Sequence, residues 1–289
     1  MHDVVKQMLK KYKCRSQQDY INATKEIFQE IALLGLWRAK FFERAAFYGG
    51  SALRILYGLN RFSEDLDFSL LKKNPSFDLS SYNKAVAKEL AGFGFMATVE
   101  TKNKQLPSNI ESAFIKADSK KQLLVIEAPK DIAKSIHHMQ VIKIKMEVDT
   151  NPPGLFGTET KFLLHPMPFS VRSFSKSDLF AGKIHALLCR PWVVRVKGRD
   201  WYDFVWSLSQ DIPVNLSHLK ERMTQSKTWD RGKVLSKEDL IELLLQKINE
   251  TDFDKAKDDI RPFIKKSSNL EIWSKDFFKN ILERVQTIN

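Results

Sequence analysis

The chain has 289 residues, of which 43% are hydrophobic and 11% aromatic, so it can bury a core and is not a disordered polymer; its length suits one large or two ordinary domains. Lys and Arg number 47 against 35 Asp and Glu, and the net +12 favours a polyanionic partner such as nucleic acid. Two cysteines, Cys14 and Cys189, exclude a disulfide framework, no apolar run approaches the ~20 residues of a membrane span, and the opening M-H-D-V-V-K lacks a signal-peptide core, so a cytoplasmic protein with no membrane partner is expected.

Residues 3–40 read as helical. Val4, Val5, Met8, Leu9 and Tyr12 repeat at helical spacing, and Ile21, Phe28, Ile31, Ala32 and Leu36 form a second core-facing stripe. Ala45–Tyr48 reads as a short strand. Gly49-Gly50-Ser51 is a tight turn that opens a helix over Ala52–Tyr57, with Ser51 as its N-cap and Gly58 as its stop. A second strand follows, in which Asp65, Asp67 and Ser69 alternate with Leu66, Phe68 and Leu70. Period two puts both aspartates on one face. Carboxylates two residues apart on a strand can share divalent cations, and Mg²⁺ (or Mn²⁺) prefers a few carboxylates completed by water and phosphate. The Gly49-Gly50-Ser51 turn offers backbone N–H groups and a positive helix end to phosphate. Together they predict a nucleoside-triphosphate (NTP) site; the bland alternative is a capped helix followed by a hairpin with solvated acids.

Lys72–Ser81 reads as a loop, Ser81–Phe93 as a helix, and Phe95–Lys102, Glu111–Asp118 and Gln122–Ala128 as strands, with Ile132–His138 a short helix or loop. Val141–Asp149 alternates without a break. Ile142, Ile144, Met146 and Val148 form a buried row, and Lys143, Lys145, Glu147 and Asp149 form the other. Asn151–Pro168, rich in Pro and Gly, reads as an extended loop and a domain boundary near residue 165. From residue 166 the chain reads as mostly helical.

Ser177–Cys189 has helical spacing, with Ser177 or Asp178 at its start. From Lys183 to Arg199 the basic residues Lys183, Arg190, Arg195, Lys197 and Arg199 accumulate without an acid, a cluster able to neutralise a triphosphate or hold an RNA backbone. Asp200–Leu208 begins another helix, with Asp200 and Asp203 on one face and an Arg199–Asp203 pair at i, i+4. Ion pairs locking two helices together are the alternative role for Lys183, Arg199, Asp200 and Asp203. The remaining residues read as helices, two of them with capping-box spacing at Ser236/Asp239 and Thr251/Asp254, and Trp273, Phe277, Phe278, Ile281 and Val285 on the last.

The string Y-G-G-S-A-L-R with R-F-S-E-D-L-D-F-S-L, and later L-F-A-G-K-I-H-A-L-L-C-R with V-K-G-R-D-W-Y-D-F, resembles the AbiEii/AbiGii nucleotidyltransferase toxins of abortive-infection and type IV toxin–antitoxin systems. These form a branch of the DNA polymerase β-type superfamily. The resemblance covers roughly Ala45–Leu70 and Lys143–Leu208. It implies an α/β (α+β) nucleotidyltransferase domain with a mixed sheet over residues 1–165, a helical domain over 166–289, and an active site in the cleft between them. It also implies a third acid from an adjacent strand, as metal ligand or base. Glu147, deeper in its strand than Asp149, is chosen for that place beside Asp65 and Asp67. Lys183 matches a motif lysine that contacts phosphates, with Gly49, Gly50, Ser51 and Arg199 at the nucleotide. Asp200 and Asp203 match the acids of R-D-x-x-D, one of them acting in catalysis or orienting Lys183. The implied activity is Mg²⁺-dependent transfer from an NTP to a tRNA or other structured RNA, blocking translation and growth, with an antitoxin encoded beside it. A transferase acting on a protein or small molecule, or a non-catalytic nucleotide- or RNA-binding protein, are the rivals.

Overall fold

The computed structural model describes residues 3–101, 108–119, 121–122, 126, 128–129, 131–132, 141–190, 196–265 and 270–289. The expected elements at 122–128 and 132–138 lie largely outside this range, as do Lys102 and Arg195. The chain divides into two compact units. The first comprises residues 1–57, 62–152 and 159–173, and the second residues 58–61, 153–158 and 174–289.

The first unit opens with helices α1 (Asp3–Lys10) and α2 (Gln17–Arg38). α2 starts at a capping box in which Ser16 and Asp19 satisfy each other's backbone N–H. Then come β1 (Ala45–Tyr48), α3 (Gly49–Tyr57), β2 (Leu66–Leu70), α4 (Ser80–Gly92), β3 (Thr98–Thr101), β4 (Ile110–Asp118), β5 (Val141–Asp149), β6 (Thr158–Leu163) and β7 (Phe169–Phe174). The seven strands make one sheet in the order β3-β4-β5-β2-β1-β7-β6. It is mixed: β1–β2, β3–β4 and β4–β5 run antiparallel, while β2–β5 and β1–β7 run parallel.

The row Ile142, Ile144, Met146 and Val148 is buried as its alternation predicts, under α2. Phe41, Phe47 and Phe68 pack in the same layer, Phe41 edge-to-face on Phe68 with centroids 4.9 Å apart. The polar row of β5 takes the opposite face. β6 and β7 correct the reading of 151–168 as loop followed by helix. β6 alternates only between exposed and half-exposed residues, so it carries no apolar signal, whereas Phe169, Val171 and Ser173 of β7 are buried behind a proline-rich approach.

The second unit contains α5 (Lys176–Cys189), α6 (Gly198–Ser209), the short strand β8 (Val214–Asn215), α7 (Leu216–Gln225), α8 (Lys237–Glu250), α9 (Phe253–Ile260), α10 (Lys275–Ile281) and β9 (Thr287–Ile288), which pairs with β8. Its core gathers Trp201, Phe204, Phe253 and Phe278, with Phe253 and Phe278 stacked at 4.3 Å. Gly198 allows α6 to meet α9, because a Cβ there would strike the Ala256 carbonyl. Two caps differ from expectation. Ser175 rather than Ser177 or Asp178 caps α5, accepting from the Asp178 N–H. Asp252 rather than Thr251 caps α9, since the Thr251 hydroxyl donates back to the Lys247 carbonyl of α8. The Ser236/Asp239 capping box of α8 forms as read. Among the described residues no helix is long and apolar enough to cross a membrane.

Candidate active site

In the first unit the site is built around the β1–α3 junction. β1 ends at Tyr48 and α3 begins at once with Gly49, one turn earlier than the sequence suggests. Gly49 sits at φ +82°, a left-handed conformation that favours glycine. A Cβ there would also lie 2.6 Å from Asp67 Oδ2. Backbone freedom and close approach therefore both demand glycine, and the space a Cβ would fill is taken by the Asp67 carboxylate.

Ser51 corrects its role as N-cap. It lies inside the first turn of α3, buried, and its hydroxyl donates to the backbone carbonyl of Asp65. The hydroxyl thus pins the start of β2 to α3, and what the first turn of α3 could offer an anion is the N–H groups of Gly49, Gly50 and Ser51. Gly58, at φ +80°, ends the helix as read.

Asp65 stands exposed just before β2 and Asp67 is half-buried within it. Two residues apart in extended chain, they share a face. The parallel register places Glu147 directly beside Asp67, and Asp149 beside Ser69. That places Glu147, not Asp149, next to the aspartates. The Glu147 Oε1 is held by Lys145 Nζ at 2.7 Å and by the Ser112 hydroxyl at 3.3 Å. Asp149 Oδ1 instead accepts from the Asn151 N–H at 2.9 Å, closing the turn after β5.

This donor set is all oxygen, which fits Mg²⁺ or Mn²⁺, ions that take one or two carboxylates and complete their shell with water and phosphate. Among the described residues no three acid, histidine or cysteine side chains already converge as metal ligands. Asp65 and Asp67 are thus the residues suited to hold the ion, and Glu147 is their neighbour on the sheet.

In the second unit, Asp203 of α6 is fully buried and binds two cations. Arg61 meets it with a fork, Nε to Oδ1 at 2.6 Å and Nη2 to Oδ2 at 2.7 Å. Lys183 of α5 adds Nζ to Oδ2 at 2.7 Å. Burial raises the Asp203 carboxyl, but the charges and hydrogen bonds of Arg61 and Lys183 outweigh it and hold the carboxyl below the usual range. Asp200 is nearly buried and receives Arg190 Nη1 at 3.2 Å. Arg199 lies over the Phe263 ring at 4.3 Å rather than on Asp203, so the pair expected between them gives way to Arg61 and Lys183.

Of the two acids, Asp203 is the one paired with Lys183, and Asp200 is paired with Arg190. The R-F-S-E-D-L-D string by itself gives Arg61 no role. Arg61 lies in the link Gly58–Arg61, four residues ahead of Asp65, and its partner is 142 positions away, a distance no local pattern spans.

Two crystal structures from Helicobacter pylori are similar to this chain. One is of JHP933, at 17% identity, TM-score 0.44, covering 91% of this chain and 88% of that one. The other is of a presumed nucleotidyltransferase, at 18% identity, TM-score 0.45, covering 90% of each. No curated protein matches the chain significantly. Residues 31–281 match the family described as nucleotidyl transferase AbiEii toxin, type IV toxin–antitoxin system. The Gly49 turn, the Asp65/Asp67 strand, Lys183 and Asp203 all lie within the matched span, and the chain belongs to the AbiEii nucleotidyl transferase toxin family.

Proposed function

We propose that the protein transfers a nucleotide from an NTP, with Mg²⁺, to a hydroxyl of a structured RNA, tRNA above all. Blocked translation and growth arrest follow, relieved by the antitoxin that family membership implies. The observation that carries this reading is the packing of Asp67 into the space left by Gly49, which sets a carboxylate pair against the opening turn of α3.

In the reaction the acceptor oxygen attacks the α-phosphorus, a new O–P bond forms, the bond to the β-phosphate bridge breaks, and pyrophosphate leaves. The amides of Gly49, Gly50 and Ser51 hold phosphate oxygens at the positive end of α3. Asp65 and Asp67 would hold Mg²⁺, which would supply positive charge to offset that of the transferring phosphoryl group. Glu147, beside Asp67, takes the proton of the acceptor hydroxyl. Lys183, oriented by Asp203, and Arg199 offset the remaining phosphate charge.

The test is purified protein with Mg²⁺, each labelled NTP in turn, and total bacterial tRNA on a denaturing gel, beside an Asp65→Ala/Asp67→Ala control. A labelled tRNA band that falls by at least about 10³-fold in the control supports the reading. Label on protein, or none with any NTP, overturns the RNA acceptor; an equally active control overturns the site.

A further inference from the structure

The end of the sheet remote from Gly49 carries a charge of its own. β1 and β2 are antiparallel, so Tyr48 pairs with Asp67 at one end and Ala45 with Leu70 at the other. At that second end Arg44 enters β1 and Lys72 and Lys73 leave β2, with the Leu71 N–H donating to the Arg44 carbonyl at 2.9 Å. Arg44, Lys72 and Lys73 line one concavity, Arg38, Lys40 and Arg172 line a second, and the exposed Glu43 borders both. Arg38 is tied to Glu89 at 2.8 Å. The side chains of the other five make no hydrogen bond, ion pair or ring contact among the described residues.

Lys40 is explained in part by the negative C-terminal end of α2. Lys72, Lys73 and Arg172 stand at no helix C-terminus, Arg44 only ends the single 3₁₀ turn Phe41–Glu43, and among the described residues no acid pairs with any of the four. Five like charges gathered on one surface repel one another, and an anion repeated at regular spacing would relieve them all.

We propose that this basic end is a docking surface for the phosphate backbone of RNA. It lies about 17 Å along β1 from Gly49, five residue steps at ~3.3 Å each, so paired RNA resting there can present an end toward Asp65 and Asp67. The inference deepens the RNA-acceptor reading and rests on it. An acidic protein is the less fitting occupant: lysine is depleted in protein–protein interfaces, and no exposed large apolar side chain lines either concavity among the described residues. Phosphate contacts, in contrast, are made by Lys and Arg regardless of base sequence.

The experiment is fluorescence anisotropy with a labelled RNA hairpin of about twelve base pairs, titrated between about 50 and 200 mM salt. Arg44→Glu/Lys72→Glu/Lys73→Glu should weaken binding by at least about 10-fold and flatten the plot of log affinity against log salt by about two. The milder Lys72→Gln/Lys73→Gln should move both quantities the same way by less, which answers any doubt about folding. Lys227→Glu/Lys233→Glu/Lys237→Glu changes net charge equally on other exposed residues and should have the smaller effect.

An unchanged affinity and slope in the first variant overturns the docking surface, whether or not tRNA is labelled. So does loss of binding to an acidic protein with RNA binding intact. Absence of tRNA labelling together with reduced hairpin binding in that variant would sink the acceptor reading alone and leave the surface standing.

Discussion

Asp203 is the residue on which the charge cluster of the second unit turns, because it is a fully buried carboxylate facing two cations. Its folded pKa is depressed, so the stability it supplies is present above the usual carboxylate range and is lost as pH falls through the lower folded value. Asp203→Asn removes the carboxylate that Arg61 and Lys183 share and should cost about 3–5 kcal/mol at neutral pH, read as a shift in urea midpoint. Glu30 has the opposite sign. It is buried in α2, and burial raises its carboxyl to about 7, with Lys11 pulling it down and Glu26 pushing it up. The native state keeps a proton that the unfolded chain loses near 4.5, so this contribution is complete below that pH and is lost as pH rises to about 7. Glu30→Gln should therefore gain about 3 kcal/mol on the native chain between pH 4 and pH 8 in urea unfolding. Neither partnership has a sequence signal: Glu30 sits in an apolar helical stripe, and Asp203 meets Arg61 across 142 positions.

Among the elements, those with strict periodicity were legible. The alternation in β5 marked its buried row and the Ser236/Asp239 capping box announced its helix, whereas in β2 Ser69 of the polar row is buried with the apolar residues. What the pattern could not supply is pairing. That β5 runs parallel to β2, with Glu147 opposite Asp67, is a fact of the sheet and settles which acid is the neighbour. β6 was missed because an edge strand with no buried row looks like a loop, and the N-cap of α3 was misplaced because Gly49 had already begun the helix. The register argues a clear contrast between two acids of one strand. Glu147→Gln should lower nucleotide transfer by about 10²-fold or more with little change in stability, since its side chain is partly exposed. Asp149→Asn should leave transfer within a few-fold and instead loosen the turn at Asn151 by about 1 kcal/mol. Single-turnover rates and urea midpoints on both variants check the pair.

For the whole molecule, a net +12 means that a triphosphate is attracted to almost any surface at low ionic strength. Binding to the Gly49–Asp67 site must therefore be separated from this general pull. At ~0.15 M salt the Debye length is about 8 Å, and diffuse attraction is largely screened while a built site persists. A ligand at about 100 times its dissociation constant adds ~2.7 kcal/mol to the folded state. For a chain of this size that raises the thermal midpoint by about 4 °C. The rise should appear with Mg²⁺ and NTP together and shrink to a small residue on adding EDTA. It should be absent in Asp65→Asn/Asp67→Asn, with the variant's urea midpoint as the check on its fold. Gly49→Ala should lose the rise as well, since a Cβ displaces the Asp67 carboxylate and strains a positive φ. A rise that survives both EDTA and the double substitution would assign the nucleotide to the molecule's overall charge and remove the carboxylate pair from its binding.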